Sequence, residues 1–450
     1  MTYDAGSALA RIAESEAGPG GLNAFLSLAD ADDVQPRANG PLAGAPVAVK
    51  DNISTTALPT TCGSRLLDGY QAPYEATVVR KLRDAGGVVI GKTNLDEFGM
   101  GSSTENSAFG PTLNPHDRSR VPGGSSGGSA AAIAAGYTTM ALGSDTGGSV
   151  RQPASFCGVV GIKPTYGRAS RYGLAAFASS LDQVGVLGRT VTDAATLLGA
   201  ISGHDPHDAT TADTPVPDYA DDVGRGVAGM VVGVPAEYFP DALDPAIRSL
   251  LDSGLERLVE AGARLEKVSL AHTSYAIPAY YVLAPAEASS NLARYDGVRF
   301  GVRQEGSDIA SMYEKTRRGF GDEVKRRIML GTYALSAGYY DEYYGTAQRA
   351  RSLIAQDFAE VFARVDVLFT PTAPTTAFSL GERTGDPLAM YMSDVFTVTA
   401  NLAGIPGVSV PVGYVDGLPV GGQLLAPWWG ESTMLAAAGA VEASSPGSLP

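Results

Sequence analysis

Apolar positions along the chain follow two different periods. Residues 45–50 (APVAVK) form a short, mostly apolar run with β-branched residues, which is typical of a buried strand. Residues 75–85 instead place Val78, Val79 and Leu82 on one face at helical spacing and end before two glycines. Alternation of such runs along the chain predicts a layered α/β fold.

Other segments repeat these two patterns. Further strands are predicted at residues 88–91, 137–142, 159–162, 230–234, 264–270, 366–369 and 407–413. Further helices are predicted at residues 5–16, 95–99, 130–135, 191–201, 245–261, 276–293, 322–365 and 391–403. The first clear strand is expected only at residue 45, because the stretch 18–40 is punctuated by Gly, Asp and Pro.

Two glycine-serine clusters interrupt the pattern within residues 122–153. The first spans residues 123–129 and the second spans residues 147–149, with a predicted helix and strand between them. Glycine allows a ligand to approach the backbone, so such clusters can present N–H groups to an anion or a polarised carbonyl. A flexible linker is the alternative, but linkers do not alternate with core-like segments. The stretch is therefore predicted to be a functional site.

Composition and charge restrict the function. The 450 residues carry a net charge of −15, which argues against binding of a nucleic-acid backbone by this chain itself. Two cysteines, Cys62 and Cys157, are too few for a disulfide framework, and the four histidines are scattered. We therefore expect no metal site and a cytoplasmic location. No run of 18 uninterrupted apolar residues indicates a membrane span.

The run 122–153, together with Lys50 in its apolar strand, resembles the amidase signature of the family that carries that name. The resemblance implies that Ser149 is the nucleophile, Ser125 a bridging serine and Lys50 the base. It also implies a cis peptide bond between Gly124 and Ser125. The backbone N–H groups expected to form the oxyanion hole are those of Thr146, Gly147, Gly148 and Ser149.

Two further segments resemble one particular group of proteins within that family. Residues 100–110 (MGSSTENSAFG) and 326–332 (RRIMLGT) are similar to the A subunits of glutamyl-tRNA(Gln)/aspartyl-tRNA(Asn) amidotransferases. This similarity implies that Arg327 and Asp394 bind the amino-acid end of glutamine, with Tyr280 lining the same pocket. It also implies two partners, a tRNA-binding, kinase-like B subunit together with a small bridging C subunit, and contact with tRNA only through the partner.

The resemblance also implies an architecture. The expected fold class is α/β, with a central mixed β-sheet covered on both faces by α-helices. Length alone would suggest two or three domains, but the family implies one domain over residues 1–450. Its expected parts are a short N-terminal helical region (about 1–40), a signature core (about 41–203), a helical substrate-pocket part (about 271–365), and closing strands and helix (about 366–445).

The chemistry of amide hydrolysis explains these residue types. A serine hydroxyl is inert until a base takes its proton, and a lysine is a base only when it is neutral, which burial favours. In the expected relay, Ser149 passes its proton to Ser125 and Ser125 passes one to Lys50. The reverse transfer protonates the departing ammonia.

An alternative interpretation is the nucleophile elbow of α/β-hydrolases, because residues 124–128 (GSSGG) also fit that motif. The elbow requires a strand directly before it, whereas residues 114–122 are polar and end in proline. It also requires a downstream histidine, and His204, His207 and His272 lie in segments without a supporting pattern.

Two enzymatic functions remain open. One is the glutamine-hydrolysing subunit of a tRNA-dependent amidotransferase, which supplies ammonia to convert Glu-tRNA(Gln), Asp-tRNA(Asn) or both. The other is a free-standing amidase acting on another small amide. A catalytically inactive scaffold is disfavoured by the intact Lys50, Ser125 and Ser149. No phosphate-binding loop or dinucleotide motif is present, so we expect no cofactor in this chain and expect ATP and magnesium to be used by a partner.

Overall fold

The computed structural model describes residues 4–16, 18, 20–31, 34 and 39–443, so parts of the predicted N-terminal region and the last two residues of the closing region lie outside the described residues. The strands are β1 (Phe25–Leu28), β2 (Pro46–Lys50), β3 (Val88–Thr93), β4 (Met140–Asp145), β5 (Val160–Lys163), β6 (Gln183–Gly188), β7 (Val231–Pro235), β8 (Arg264–Val268), β9 (Val367–Pro371), β10 (Gly407–Val415) and β11 (Leu418–Leu425). Within the described residues they form one mixed sheet in the order β1-β3-β2-β4-β6-β5-β10-β11-β9-β7-β8.

Helices flank this sheet. They are α1 (Ala5–Glu16), α2 (Thr77–Asp84), α3 (Gly127–Ala134), α4 (Arg151–Cys157), α5 (Val191–Ile201), α6 (Tyr219–Asp222), α7 (Pro245–Glu260), α8 (Ala276–Asn291), α9 (Ile309–Arg317), α10 (Asp322–Ala334), α11 (Thr346–Phe362), α12 (Pro387–Tyr391), α13 (Val398–Ala403) and α14 (Glu431–Ala443). Among the helices described, none is long and apolar enough to cross a membrane.

Both faces of the sheet are covered by helices, which confirms the predicted fold class. Neighbouring strand residues point to opposite faces, and in β9 Val367 and Phe369 join one apolar core while Leu368 joins another. The first core includes α2, α5, α7 and α14, and the second includes α8, α10, α11 and α13. Organisation as one domain over residues 1–450 stays a prediction.

Several predicted elements are confirmed with small shifts at their ends. The helix predicted at 191–201 is α5, and Thr190 and Asp193 form a capping box at its start. The helix predicted at 245–261 is α7, with Asp244 as N-cap and Pro245 in the first turn. The parallel pairs of β2 with β3 and of β7 with β8 confirm the strand–helix–strand alternation.

Other predictions were wrong, and the cause was local composition. The strand predicted at 137–142 is β4, which begins at Met140 and runs through the polar Ser144 to Asp145. The strands β1, β6 and β11 were not predicted. Strand β6 contains glycine, and β11 contains glycine and proline, residues that normally indicate turns or bulges. In β11 a Cβ at Gly422 would lie 2.7 Å from the ring of Phe369, so glycine there permits close packing.

Three predicted helices also differ from the structure. The helix predicted at 95–99 is a single 3₁₀ turn at Glu97–Gly99, and 322–365 is divided by a π-helix at Tyr340–Gly345. The helix predicted at 391–403 is divided into a 3₁₀ turn at Met392–Asp394 and α13. Between them the hydroxyl of Thr397 donates to backbone carbonyls of Gly147 and Asp394, and such local bonds compete with helix continuation.

The sheet brings the two glycine-serine clusters to one edge. Strands β2 and β4 are parallel neighbours, so their carboxyl ends, Lys50 and Asp145, lie at the same edge. Helix α3 begins at Gly127, within the first cluster, and α4 begins at Arg151, just after the second. The candidate site therefore lies where two strands end and two helices begin.

Candidate active site

Lys50 lies at the end of β2 and its side chain is fully buried. Burial disfavours the charged ammonium and lowers the pKa of Lys50 to about 7, although the carboxylates of Asp96, Asp145 and Asp182 act in the opposite direction. A substantial share of this amine is therefore neutral near neutral pH, as a general base requires.

Three serine hydroxyls surround the Lys50 amine. Its Nζ lies 2.8 Å from Oγ of Ser125, 2.8 Å from Oγ of Ser126 and 2.9 Å from Oγ of Ser144. The side-chain amide of Asn52 donates to the Ser144 hydroxyl at 2.9 Å. A neutral amine has two hydrogens and one lone pair, so it can accept a proton from one hydroxyl while it donates to the other two. The expected contact between Lys50 and Ser125 is present.

The two glycine-serine clusters meet directly. The Gly124–Ser125 peptide bond is cis, as the family resemblance implied. The backbone N–H of Ser126 donates to the carbonyl oxygen of Ser149 at 3.1 Å, and that of Gly124 donates to Oε1 of Gln152 at 2.9 Å. Within the described residues the Ser149 hydroxyl has no hydrogen-bond partner, and Ser149 is 9% exposed. The Ser149 backbone therefore lies beside Ser126, whereas the hydrogen bond between the Ser149 and Ser125 hydroxyls that the expected relay requires is not formed within the described residues.

The loop after β4 is held by the carboxylate of Asp145. The N–H of Gly148 donates to its Oδ1 at 2.9 Å and the N–H of Val150 donates to its Oδ2 at 3.2 Å. Fully buried Arg151 binds both oxygens at 3.0 Å through Nε and Nη2. Burial raises the pKa of Asp145, but the charge and hydrogen bonds of Arg151 outweigh that effect and hold the pKa at about 2. An ionised carboxylate thus fixes the loop backbone.

The four residues expected to form the oxyanion hole are Thr146, Gly147, Gly148 and Ser149. They differ in whether their backbone N–H groups are available to a ligand. The N–H of Gly148 is occupied by Asp145, so a substrate can reach it only if that bond breaks. The N–H groups of Thr146, Gly147 and Ser149 have no acceptor among the described residues. The oxyanion hole stays a prediction, and these three N–H groups are its available donors.

Tyr280, on α8, is buried against this loop. A Cβ at Gly147 would lie 2.7 Å from the Tyr280 hydroxyl oxygen. Gly148 has a φ of 137°, and a Cβ there would lie 2.1 Å from Oγ1 of Thr397. The two glycines are therefore required for packing, and Tyr280 lies next to the candidate catalytic loop.

Arg327, on α10, is buried and not part of an exposed basic helix face. Its Nε donates to Oε1 of Glu323 at 2.7 Å. The rings of Phe177, Tyr281 and Tyr391 surround its guanidinium at 5.4 to 5.5 Å from their centroids. Among the described residues its two terminal nitrogens have no acceptor, which leaves the edge that binds a carboxylate with two hydrogen bonds.

Asp394 is buried at the end of the 3₁₀ turn before α13. The hydroxyl of Ser102 donates to its Oδ2 at 2.5 Å, while its Oδ1 has no partner among the described residues. Burial raises the pKa of Asp394 to about 7, against the opposing effects of Ser102 and of Arg327. Arg327 is thus close enough to affect this carboxyl, yet the described residues include no ion pair between the two.

The loop 100–110 connects these parts. The carboxylate of Asp96 accepts the N–H of Thr104 at 2.8 Å and that of Asn106 at 3.1 Å. Oε1 of Glu105 accepts the N–H of Gly381 at 2.7 Å. Because the same loop supplies the serine that binds Asp394, it helps to hold the Asp394 carboxyl in place.

The alternative nucleophile elbow does not fit. Ser125 is paired with Lys50, and the described histidines bind elsewhere: His116 to Cys157, His204 to Thr211, His207 to Asp205 and His272 to Asp357. No strand of the sheet lies in residues 100–122. In the parts of the chain that the structure describes, no three His, Cys, Asp or Glu side chains are grouped as metal ligands.

Some site residues were missed from the sequence. Ser126 was available as the next hydroxyl after Ser125, but nothing in its spacing distinguishes it from a loop serine. Ser144 was missed because the strand was predicted to end at Leu142, and an alternating buried position two residues beyond would have indicated it. Glu323 had one signal, its i,i+4 spacing to Arg327 on a helix.

Comparison with known proteins agrees with this geometry. The family model described as Amidase matches residues 23–435. The chain is 58% identical over 454 residues to the A subunit of the glutamyl-tRNA(Gln) amidotransferase of Koribacter versatilis (strain Ellin345), across 96% of this chain and 94% of that relative. This chain belongs to the amidase family.

Solved structures of the amidase family show the same fold. The A subunit of a glutamyl-tRNA(Gln) amidotransferase from Thermotoga maritima matches with a TM-score of 0.84 at 47% identity, over 98% of this chain and 90% of that chain. A peptide amidase in complex with chymostatin matches with a TM-score of 0.81 at 31% identity, over 98% of this chain and 94% of that chain. The resemblance seen in the motifs, to the family and to its amidotransferase A subunits, is confirmed.

Proposed function

We propose that this chain is the glutamine-hydrolysing subunit of a tRNA-dependent amidotransferase, with Ser149, Ser125 and Lys50 as its catalytic residues. It releases ammonia for the conversion of Glu-tRNA(Gln) to Gln-tRNA(Gln), of Asp-tRNA(Asn) to Asn-tRNA(Asn), or of both. Its overall reaction with the partners is that of a glutamine-hydrolysing carbon–nitrogen ligase.

The observation that carries the proposal is the combination of a buried lysine, whose pKa is lowered to about 7, with a buried arginine and a buried aspartate that are not paired with each other. Lys50 contacts Ser125 at 2.8 Å, which is the arrangement of a base and its serine. Arg327 and Asp394 are both buried, influence each other and leave hydrogen-bonding atoms unused. Such groups cost free energy unless a ligand pairs with them. The amino-acid end of glutamine carries the α-carboxylate and α-ammonium that would do so.

In the first half of the reaction, Oγ of Ser149 bonds to the side-chain carbonyl carbon of glutamine. The Ser149 proton moves to Oγ of Ser125, and the Ser125 proton moves to Nζ of Lys50. The oxyanion that forms accepts N–H groups of the loop at Gly147 and Ser149. When the carbon–nitrogen bond breaks, the proton returns through Ser125 to the leaving nitrogen, and ammonia departs from a γ-glutamyl ester of Ser149.

In the second half, water takes the place of ammonia. Its proton passes through Ser125 to Lys50 as its oxygen attacks the ester carbon, and the bond to Ser149 breaks. Glutamate leaves and Ser149 regains a proton from the same relay. Water and glutamine are consumed and glutamate and ammonia are produced, so Lys50 ends in its starting state.

The remaining chemistry belongs to partners. Activation of a tRNA-linked carboxylate needs ATP and magnesium, which we assign to the kinase-like B subunit, while the small C subunit bridges it to this chain. The charge of −15 supports contact with tRNA through the partner alone. Both cysteines are unpaired, which supports a cytoplasmic location for this assembly.

Reconstitution tests the proposal. The full chain combined with B and C subunits, ATP, magnesium and glutamine should convert Glu-tRNA(Gln) or Asp-tRNA(Asn), and Ser149→Ala should abolish conversion from glutamine but not from added ammonia. Rapid hydrolysis of unrelated amides by the isolated chain, with no binding to those subunits, would instead identify a free-standing amidase.

A further inference from the structure

Glu323 occupies an unusual position at the first turn of α10. Its side chain is 10% exposed, whereas that of its neighbour Asp322 is 97% exposed. Its Oε1 accepts Nε of Arg327 at 2.7 Å, and its Oε2 accepts Nη1 of Arg326. A carboxylate that is mostly shielded from solvent and accepts from two guanidinium groups forms strong, directional hydrogen bonds. Such a group restricts the rotation of the Arg327 side chain.

The same oxygen also reaches a second segment. The hydroxyl of Tyr391, at the end of α12, donates to Oε1 of Glu323 at 3.2 Å. The ring of Tyr391 stacks on that of Tyr281, with 3.7 Å between the centroids and 18° between the planes. Asp394 lies three residues after Tyr391. One carboxylate oxygen therefore connects the helix that carries Arg327 to the segment that carries Asp394.

The way that Glu323 binds Arg327 matters for recognition. It engages Nε and leaves the two terminal nitrogens without an acceptor among the described residues. A bidentate contact through the terminal nitrogens would instead consume the edge that a ligand carboxylate needs. The contact to Nε thus orients the guanidinium and leaves its two terminal nitrogens available to a ligand carboxylate.

We propose that Glu323 is a positioning residue for substrate recognition: it orients Arg327 toward the α-carboxylate of glutamine and, through Tyr391, sets the separation between Arg327 and Asp394. This inference rests on the proposed function of the site. Glu323 contacts neither the substrate nor the reacting atoms, and it acts through Arg327.

The test compares two substrates in the full-length chain, first by itself and then assembled with its partner subunits. Glu323→Ala should raise KM for glutamine roughly tenfold to a hundredfold, because a guanidinium that is free to rotate must be ordered by the substrate. The kcat/KM for butyramide, which has neither an α-carboxylate nor an α-ammonium, should change less than about threefold. Glu323→Gln, which keeps an acceptor oxygen, should recover part of the loss.

Two controls separate positioning from general damage. Asp322→Ala removes a neighbouring, exposed carboxylate from the same helical turn and should leave both substrates unaffected. The double variant Glu323→Ala/Arg327→Ala should be no worse for glutamine than Arg327→Ala alone, because Glu323 acts only through Arg327. Tyr391→Phe, which keeps the stacked ring, should show a smaller rise in KM.

Failure takes two distinguishable forms. If Arg327→Ala is selective for glutamine but Glu323→Ala affects both substrates alike, or adds fully to Arg327→Ala, Glu323 is only structural and the inference is wrong. If Arg327→Ala itself affects both substrates alike, the recognition part of the proposed function fails as well. Should Glu323→Ala not fold, the selectivity of Glu323→Gln and Tyr391→Phe decides the question in the same way.

Discussion

The candidate site has a catalytic half around Lys50 and a recognition half around Arg327 and Asp394. The two halves differ in how many of their polar atoms have hydrogen-bond partners. Around Lys50 the amine has hydroxyl partners at 2.8 and 2.9 Å. Around Arg327 and Asp394, two buried side chains of opposite type lie near each other without an ion pair between them in the described residues, although Arg327 is paired with Glu323. The contact between Lys50 and Ser125 is in place before a substrate arrives, whereas the recognition site has polar atoms that only a substrate would pair. Variants in the two halves should therefore affect different kinetic constants.

The largest effect is expected at Ser149, where the hydroxyl is free and the nucleophilic attack is assigned. Ser149→Ala should lower glutaminase kcat by roughly 10⁴-fold or more, since the acyl-enzyme cannot form. Mass spectrometry after reaction with an electrophilic glutamine analogue should locate the adduct on Ser149. An adduct on Ser125, Ser126 or Cys157 would contradict the assignment.

Next in size is the loss of the relay. Lys50→Ala and Ser125→Ala should each lower kcat by roughly 10³-fold, and the double variant should be little worse than either one, because the residues act as a unit. Steady-state kinetics of the two single variants and the double variant measures this. Additive losses would show that Lys50 and Ser125 act independently.

The recognition half should respond mainly in KM. Arg327→Ala and Asp394→Asn should each raise KM for glutamine by roughly a hundredfold, since a charge-assisted hydrogen bond to the substrate is lost. The rate with butyramide should change little. Equal losses with both substrates would remove these residues from glutamine recognition.

A pH profile sharpens the comparison. Burial lowers the pKa of Lys50 to about 7 and raises that of Asp394 to about 7. The base must be neutral and the carboxylate ionised, so kcat/KM for glutamine should rise with pH through this region, by up to a hundredfold per unit on the acid side, where two protons are lost. With butyramide, or in Asp394→Asn, only deprotonation of Lys50 should affect the rate. The steepest rise of kcat/KM should then be about tenfold per pH unit. Unchanged slopes would exclude Asp394 from the profile.

The smallest effect is expected at Ser144, one of three hydroxyls around the lysine. Ser144→Ala should lower kcat by about tenfold or less and leave KM for glutamine unchanged, because Ser125 and Ser126 still hold Nζ. Ser119, whose hydroxyl bonds only to exposed Asp117, is a matched control site at which alanine should have no effect. A rise in KM in Ser144→Ala would show that the two halves of the site are coupled.

The location of the catalytic half could be predicted from distinctive local signals, whereas the roles of its residues were implied by the family resemblance. Lys50 ends an apolar strand, and Ser125 and Ser149 lie in glycine-rich clusters. Ser144 was missed, since the polar residues at the end of β4 led to a strand predicted to end at Leu142. The recognition half was accessible only through resemblance, because Arg327 lies in a run of basic residues that is equally typical of an exposed helix face.

The sequence by itself determined the alternation of strands and helices, the two glycine-serine clusters and the family. Periodicity and glycine spacing are local properties, and they survive without knowledge of what packs against them. Tertiary structure alone decided that Lys50 is buried among three hydroxyls, that Asp145 occupies the N–H of Gly148, and that Glu323 connects Arg327 to the segment of Asp394. The contacts of Lys50 and the link from Glu323 to Tyr391 depend on groups far apart in the chain, and burial, which shifts the pKa values, exists only once the fold has brought such groups together.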